Sequence, residues 1–212
     1  MLYERKQIHP KKHAGIYIRS EMRIYMSKQI WKPGNMLYPL PVVMVSVADK
    51  AGHSNILTIA WTGTVCSDPP MVSISVRPER YSYHMIQETG EFVINLTTRE
   101  LAFATDYCGV KSGRDVDKWK EMHLTPVKAD QVCAPLIEES PVNLECRVTE
   151  CKHLGTHDMF LAEVVCVHAD ERYMDENNKF HFEKADPIVY SHGTYMTTGE
   201  TLGTFGYSVR KK

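Results

Sequence analysis

The sequence lacks several features that would assign it to a class at once. It contains no apolar run near the roughly 20 residues that a membrane-spanning helix needs. Its N-terminal part carries no continuous apolar segment of the kind found in secretion signals. The 25 Lys and Arg residues nearly balance the 26 Asp and Glu residues, so the formal net charge is −1. This balance provides no general attraction to nucleic acid or to an anionic membrane, and we expect neither as a partner.

Several motifs of known chemistry are also missing. The six cysteines include no C-x-x-C pair, and without an export signal we interpret them as reduced thiols of a cytoplasmic protein. The sequence has no G-x-G-x-x-G dinucleotide fingerprint, no G-x-S-x-G motif and no P-loop. Cys151, His153 and His157 lie close together, but a clear fourth ligand is missing, so we predict no metal site.

The composition is that of an ordinary soluble globular protein. The chain has 212 residues, of which 43% are hydrophobic and 24% charged, and this size is most simply one domain. Residues 1–25 differ, because they carry six Lys or Arg residues against two Glu residues. We interpret them as a basic N-terminal arm, either a leader or an extended start, and residues 26–212 as the domain. A tail that binds an acidic partner is the alternative.

Short alternating segments separated by turn residues predict a mainly β protein with a few short helices. The predicted strands span residues 42–47, 55–62, 71–76, 92–96, 143–153, 159–169 and 187–190. The predicted helices span residues 82–89, 99–107 and 117–122. In this pattern Ser82 caps the first helix and Gly90 ends it. Many short strands with two or three small helices favour a β-barrel with helical decoration.

One stretch of this pattern resembles a known family. Asn55-x-x-Thr58 on a strand is followed by Ser-Asp-Pro-Pro at residues 67–70 and by an Arg-then-Ser helix start. Gly-Glu-Phe-Val-Ile-Asn follows at residues 90–95. This arrangement is similar to the flavin reductase family, and within it to the flavoredoxin-like proteins, from about Trp31 to Lys211.

The resemblance implies a fold, a cofactor and partners. The fold is an FMN-binding split β-barrel of the Greek-key type, and the chain would form a homodimer. The implied reaction is hydride transfer from NADH or NADPH to FMN, with electrons passed on to free flavin or to an electron-acceptor protein. Because the dinucleotide fingerprint is missing, a nicotinamide would have to stack on the flavin.

The candidate cofactor residues follow from what FMN requires. A strand carrying Thr58, Ala60, Trp61 and Thr62 offers backbone groups to the ring edge, and an arginine before a helix start offers an anion site to the phosphate. The full set of cofactor-binding candidates is Asn55, Thr58, Ala60, Trp61, Thr62, Cys66, Ser67, Arg77, Ser82, Tyr83 and Lys111.

His192 is the catalytic candidate. In the family that the chain resembles, a histidine in the late strand region can face the flavin near the hydride donor. A structural role is the alternative for this residue. Three other functions stay open for the whole chain: an electron carrier that binds FMN but no nicotinamide, a pyridoxamine-phosphate-oxidase-like barrel, and a barrel that binds no cofactor.

Overall fold

The computed structural model describes residues 28–210, and the predicted basic arm at residues 1–25 lies outside them. The chain divides into two units, Met1–Asn35 and Met36–Lys212, and all the elements below belong to the second. Within the described residues, no helix is long and apolar enough to cross a membrane.

Twelve strands and three α-helices form the second unit. The strands are β1 (Leu40–Pro41), β2 (Val43–Ala48), β3 (Ser54–Ile59), β4 (Thr62–Ser67), β5 (Pro70–Val76), β6 (Glu91–Leu96), β7 (Pro126–Val127), β8 (Leu136–Ile137), β9 (Val142–His153), β10 (Asp158–Ala169), β11 (Ile188–Ser191) and β12 (Thr194–Thr197). The helices are α1 (Tyr81–Thr89), α2 (Ala102–Val110) and α3 (Lys118–Glu121). Three short 3₁₀ helices cover Glu171–Tyr173, Phe182–Ala185 and Tyr207–Val209.

Seven strands form the main antiparallel sheet, in the order β3-β2-β6-β9-β10-β5-β4. The sheet curls so that its two ends approach, and the backbone N–H of Ser75 on β5 donates to the carbonyl of Trp61, just past β3, at 2.8 Å. A separate sheet in the order β1-β11-β12 forms a small three-stranded ribbon. This closure places the C-terminal end of β3 beside the C-terminal end of β5. The site described below lies there.

The main core fills the inside of this curled sheet. Strand residues spaced two apart, such as Val43, Val45 and Val47 on β2, point inwards together with Ile74 of β5 and Phe160 of β10. This spacing is the two-residue period of a strand with one buried face. Helix α1 closes one end by adding its buried side chains to the same core.

A second core lies on the outer face of the sheet. Met44 and Ile56 face outwards from β2 and β3, and α2 covers them with Leu101, Ala104 and Cys108. Because α2 is held against β3 in this way, the loop that follows α2 runs past the start of α1. The functional cavities lie at this junction.

Most of the predicted elements are confirmed, with three corrections. The predicted strand 55–62 is wrong as one element, because β3 ends at Ile59 and Thr62 starts β4 after a bend at Ala60 and Trp61. Helix α2 begins at Ala102 and continues to Val110, later than predicted at both ends. The predicted Ser82 cap is also wrong, since Arg80 is the N-cap residue of α1 and makes no side-chain cap. Gly90 ends α1 in the left-handed conformation at φ 69°, as predicted.

Candidate functional site

Two adjoining cavities lie along β3 between α1 and α2. The aromatic cavity, of about 240 Å³, is bordered by Ala60, Trp61, His157, Tyr190 and Tyr195. The cationic cavity, of about 250 Å³, is bordered by Arg77, Arg80, Lys111, Arg114 and Lys118. Leu57, Thr58, Arg77, Arg80 and Gly109 belong to the walls of both. The two cavities therefore adjoin along these shared wall residues, and together they are called the groove below.

The aromatic cavity is assembled from three separate parts of the chain. Trp61 lies at the bend after β3, and its ring stacks at 6.1 Å on His157 from the turn between β9 and β10. The ring centroid of Tyr190 on β11 lies 6.4 Å from that of Trp61 and 5.9 Å from that of Tyr195 on β12. These rings offer flat apolar faces beside the small Ala60, an arrangement that suits a planar ligand.

One polar pair faces the same cavity. Burial and the Asp106 carboxylate on α2 raise the pKa of Tyr195 to about 12. The phenol therefore keeps its proton at neutral pH and donates it in a hydrogen bond to the Asp106 carboxylate. Asp106 is exposed and also borders the cavity.

The cationic cavity includes the first turn of α1. Tyr81 and Ser82 border it, and the first N–H groups of any helix have no partner within the helix. These groups and the helix dipole favour an anion at this point. Arg77 precedes the helix and lies 3.3 Å from the Glu79 carboxylate. The side chain of Arg80 donates to the carbonyl of Gly109 at 3.2 Å, which fixes its guanidinium between α1 and α2.

Lys118 is the most unusual residue of the cationic cavity. Its side chain is only 3% exposed, and its ammonium donates to the carbonyls of Ile56 at 2.6 Å and Cys108 at 2.8 Å. An ammonium has three N–H donors, so one more remains for a group in the cavity that Lys118 borders. Burial lowers the pKa of Lys118 to about 8. Within residues 28–210 Lys118 makes no ion pair with a carboxylate, and a buried cation in this situation suits an anionic ligand.

A glycine lets the loop after α2 approach β3 closely. A Cβ atom at Gly113 would lie 2.3 Å from the Asn55 side-chain oxygen. The amide of Asn55 in turn donates to the Ser82 hydroxyl at 2.7 Å, and both residues are buried. The loop after α2, strand β3 and helix α1 are thus held together by close contacts beside the cationic cavity.

The structure brings seven of the eleven predicted cofactor residues to the groove. These are Asn55, Thr58, Ala60, Trp61, Arg77, Ser82 and Lys111. Four others lie elsewhere: Cys66 and Ser67 at the distal end of β4, Thr62 with its hydroxyl donating to the Ser73 carbonyl at 2.8 Å, and Tyr83 in the main core. The hydroxyl of Tyr83 is bonded to the buried Asp158 carboxylate, and this bond raises its pKa to about 12.

His192 borders neither cavity. It occupies the turn between β11 and β12 at φ 48°, and its ring lies 4.2 Å from that of Tyr38. Its predicted catalytic role therefore stays a prediction, whereas Tyr190 and Tyr195 on the two flanking strands border the aromatic cavity.

Sequence reasoning missed several residues of the groove. A lysine directly after a helix cap usually faces solvent, and nothing in the sequence signals the burial of Lys118. Arg80 could have been predicted, because it lies two residues before the predicted helix start at Ser82. Tyr190, Tyr195 and His157 come from distant segments, and only the tertiary fold brings them to Trp61.

With this geometry established, comparison with known proteins assigns the family. The model of the flavin reductase like domain matches residues 35–199, which is most of the chain. The protein belongs to the flavin reductase-like domain family.

Solved structures agree with this assignment. The chain is similar to flavoredoxin of Desulfovibrio vulgaris (Miyazaki F), with 30% identity, coverage of 87% of this chain and 100% of that one, and a TM-score of 0.81. It is similar to flavoredoxin from Methanosarcina acetivorans, with 29% identity, 86% and 97% coverage, and a TM-score of 0.77. A split-barrel protein from Shewanella frigidimarina shares the fold at 20% identity, 79% and 86% coverage, and a TM-score of 0.71. The predicted split β-barrel is confirmed.

Proposed function

We propose that the groove binds FMN, with the phosphate in the cationic cavity and the ring system in the aromatic cavity. The observation that carries this proposal is that a cationic and an aromatic cavity adjoin and share five wall residues. The family and the similarity to two flavoredoxins support it.

The cationic cavity matches a phosphate dianion. It combines the guanidinium groups of Arg77 and Arg80, the buried ammonium of Lys118 and the first turn of α1. Charge-assisted hydrogen bonds of this kind are stronger than neutral ones. At neutral pH Lys118 is mostly protonated, because its pKa of about 8 lies above that pH.

The aromatic cavity matches the flavin ring and a second planar molecule. Ala60 leaves space close to the strand end, while Trp61 and Tyr190 supply aromatic surface. The Tyr195 hydroxyl, whose proton is directed to Asp106, offers its oxygen as a hydrogen-bond acceptor to an N–H or O–H group of a substrate. A hydride donor would have to enter this cavity, since it is the open end of the groove beyond the cationic part.

The reaction we propose is the reduction of bound FMN by NADH or NADPH, followed by electron release to an acceptor. FMN supplies the redox chemistry when bound, and the protein positions it and excludes alternative orientations. Anaerobic mixing of the FMN-loaded protein with NADH or NADPH tests this directly. Rapid loss of the flavin absorbance supports a reductase, and a flavin that stays oxidised with both donors overturns that activity.

An electron carrier is the second candidate. It is favoured by the similarity to the two flavoredoxins at 30% and 29% identity over most of the chain. Such a carrier would hold FMN and receive electrons from a partner protein. In the same mixing experiment it would remain oxidised with nicotinamides and become reduced when a reduced electron-transfer protein is added.

We also propose that two copies of the chain associate. Exposed apolar side chains near the groove support this arrangement: Trp61 is 41% exposed, Phe103 76% and Val110 71%. A second copy that covers them would shield the bound ring from water. Light scattering at micromolar concentration gives the mass, and a monomer would contradict the proposal.

A further inference from the structure

A second cluster of reactive side chains lies on the outer face of the barrel, away from the groove. It combines a thiol, an imidazole and two carboxylates whose ligand atoms all lie within 4.8 Å of one another. Its members are Asp130, Glu145, Cys166 and His168. Among the described residues this is the group whose donor atoms are arranged to hold a metal ion.

A β-bulge in β10 creates this arrangement. Val164 pairs with Cys146, but Cys166 pairs with Glu145, so the intervening residue is extra. Val164 packs on the main core, and without the extra residue Cys166 would share its face. The bulge turns Cys166 and His168 to the outer face, where Glu145 also points. The C-x-H spacing then places both donors side by side on one strand.

The imidazole of His168 is the centre of the cluster. Its Nε2 atom lies 2.6 Å from Glu145 Oε1, 3.5 Å from Cys166 Sγ and 3.8 Å from Asp130 Oδ2. Zinc–ligand bonds of about 2.0–2.3 Å place tetrahedral ligands roughly 3.3–3.8 Å apart. The thiol distance fits this geometry, and the exposed Asp130 side chain would have to move a few tenths of an ångström closer. The Glu145 contact is a hydrogen bond that would lengthen when an ion replaced its proton.

The surrounding backbone holds the ligands in position. The buried carboxylate of Glu145 accepts hydrogen bonds from the N–H groups of Asp130 at 3.0 Å, Gln131 at 2.6 Å and Val132 at 3.1 Å. These bonds fix the loop that carries Asp130 against β9. Second-layer hydrogen bonds to ligands are typical of metal sites. The Asp130 side chain is 71% exposed, so an ion can enter from solvent.

The charges of the cluster also favour a cation. Within residues 28–210, the ion pairs of both carboxylates are made with His168 alone. A thiolate at Cys166 would add a third negative charge around one imidazole. We propose that these four side chains bind one structural zinc ion, which fastens the loop around Asp130 to strands β9 and β10. Four protein ligands close the coordination sphere, which is typical of structural zinc sites.

Zinc binding by the EDTA-treated, tag-free full chain tests the proposal. We expect about one zinc per chain in competition with a chromogenic chelator. Cys166→Ser and His168→Asn should each weaken the affinity by about a hundredfold or more, since even second-layer changes cost 10–100-fold. Cobalt substitution should give a thiolate charge-transfer band that disappears in Cys166→Ser.

Cys151→Ser is the matched control. Cys151 is exposed on β9 and lies near His153 and His157 in sequence, so it represents the alternative zinc ligands at the hairpin end. This variant should bind zinc as the unaltered protein does. The proposal is overturned if the unaltered chain binds no stoichiometric zinc, if both cluster variants retain its affinity, or if Cys151→Ser abolishes binding.

Discussion

The two ends of the groove are built in different ways. The cationic cavity is made by elements that lie between residues 54 and 121 of the chain: β3, the end of β5, the start of α1, the end of α2 and α3. The aromatic cavity collects Trp61, the tip of the β9–β10 hairpin and the β11–β12 ribbon from distant segments. The cationic end is tied together by buried hydrogen bonds, whereas Trp61 at the aromatic end is 41% exposed.

Because of this difference, we expect the cationic cavity to determine the affinity for FMN and the aromatic cavity to determine what reacts with the flavin ring. A rigid anion site with fixed donors provides binding energy that does not depend on what reacts at the ring. An open aromatic site at the other end can admit a second planar molecule. Variants of the cationic end should therefore change FMN affinity selectively, and variants of the aromatic end should affect all flavins alike.

The largest effect is expected at Lys118. Lys118→Met removes a buried ammonium that would donate to the phosphate, and a charged hydrogen bond contributes about 1.5–3 kcal/mol. We expect FMN affinity to fall by roughly a hundredfold, measured by fluorescence titration. Lys120→Met is the control, because Lys120 is exposed on the same helix. Circular dichroism should confirm that both variants are folded, and an equal loss in both would contradict the role of Lys118.

Arg77→Ala should have the next largest effect. Its guanidinium follows the end of β5 and borders the cationic cavity, and we expect a ten- to hundredfold loss, since about 1.4 kcal/mol corresponds to tenfold. Arg99→Ala serves as control, because Arg99 pairs with Asp186 away from the groove. If FMN and riboflavin weaken equally in Arg77→Ala, Arg77 supports the fold and does not hold the phosphate.

FMN affinity should also depend on pH through Lys118. The pKa of Lys118 is lowered to about 8 in the ligand-free protein, and a bound phosphate would raise it. The ammonium is therefore present below pH 8 and is lost above it unless FMN is bound. We expect affinity to decrease by about ten- to thirtyfold between pH 7 and 9.5. The same titration of Lys118→Met should be flat, and a parallel decline would assign the dependence to another group.

Trp61→Ala should cause a smaller and unselective loss. Stacking on an aromatic side chain adds about 0.5–1.5 kcal/mol beyond buried area, so FMN and riboflavin should both weaken several-fold. Trp31→Ala is a suitable control, because Trp31 is 70% exposed and lies in the other unit. A loss of affinity for FMN alone would indicate that the phosphate binds near Trp61 in the aromatic cavity, which contradicts the proposed orientation.

The smallest effect is expected at His192, which borders neither cavity. His192→Ala should leave FMN affinity unchanged and the rate of reduction by nicotinamide close to that of the unaltered protein. General acid–base catalysis contributes about 10²–10⁴-fold, so a loss of that size in stopped-flow reduction would establish the catalytic role that the sequence suggested.

The same contrast explains what the sequence predicts well. The strand period and the helix end at Gly90 are local features, and each appears as expected. The bend at Ala60 and Trp61 was missed because both residues continue the alternating pattern of β3. Arg77, Ser82 and Asn55 were found because they lie near each other in the chain. Tyr190 and Tyr195 reach Trp61 through a ribbon whose position is set by tertiary pairing of β1 with β11.

The ratio of FMN to riboflavin affinity tests the central claim most directly, because riboflavin lacks only the phosphate. It should be measured by parallel titration of the unaltered protein, Lys118→Met, Arg77→Ala and Trp61→Ala. The account predicts a high ratio in the unaltered protein, a ratio at least about tenfold lower in the two cationic variants, and an unchanged ratio in Trp61→Ala. A ratio near one in the unaltered protein, or one that falls equally in all three variants, would contradict it.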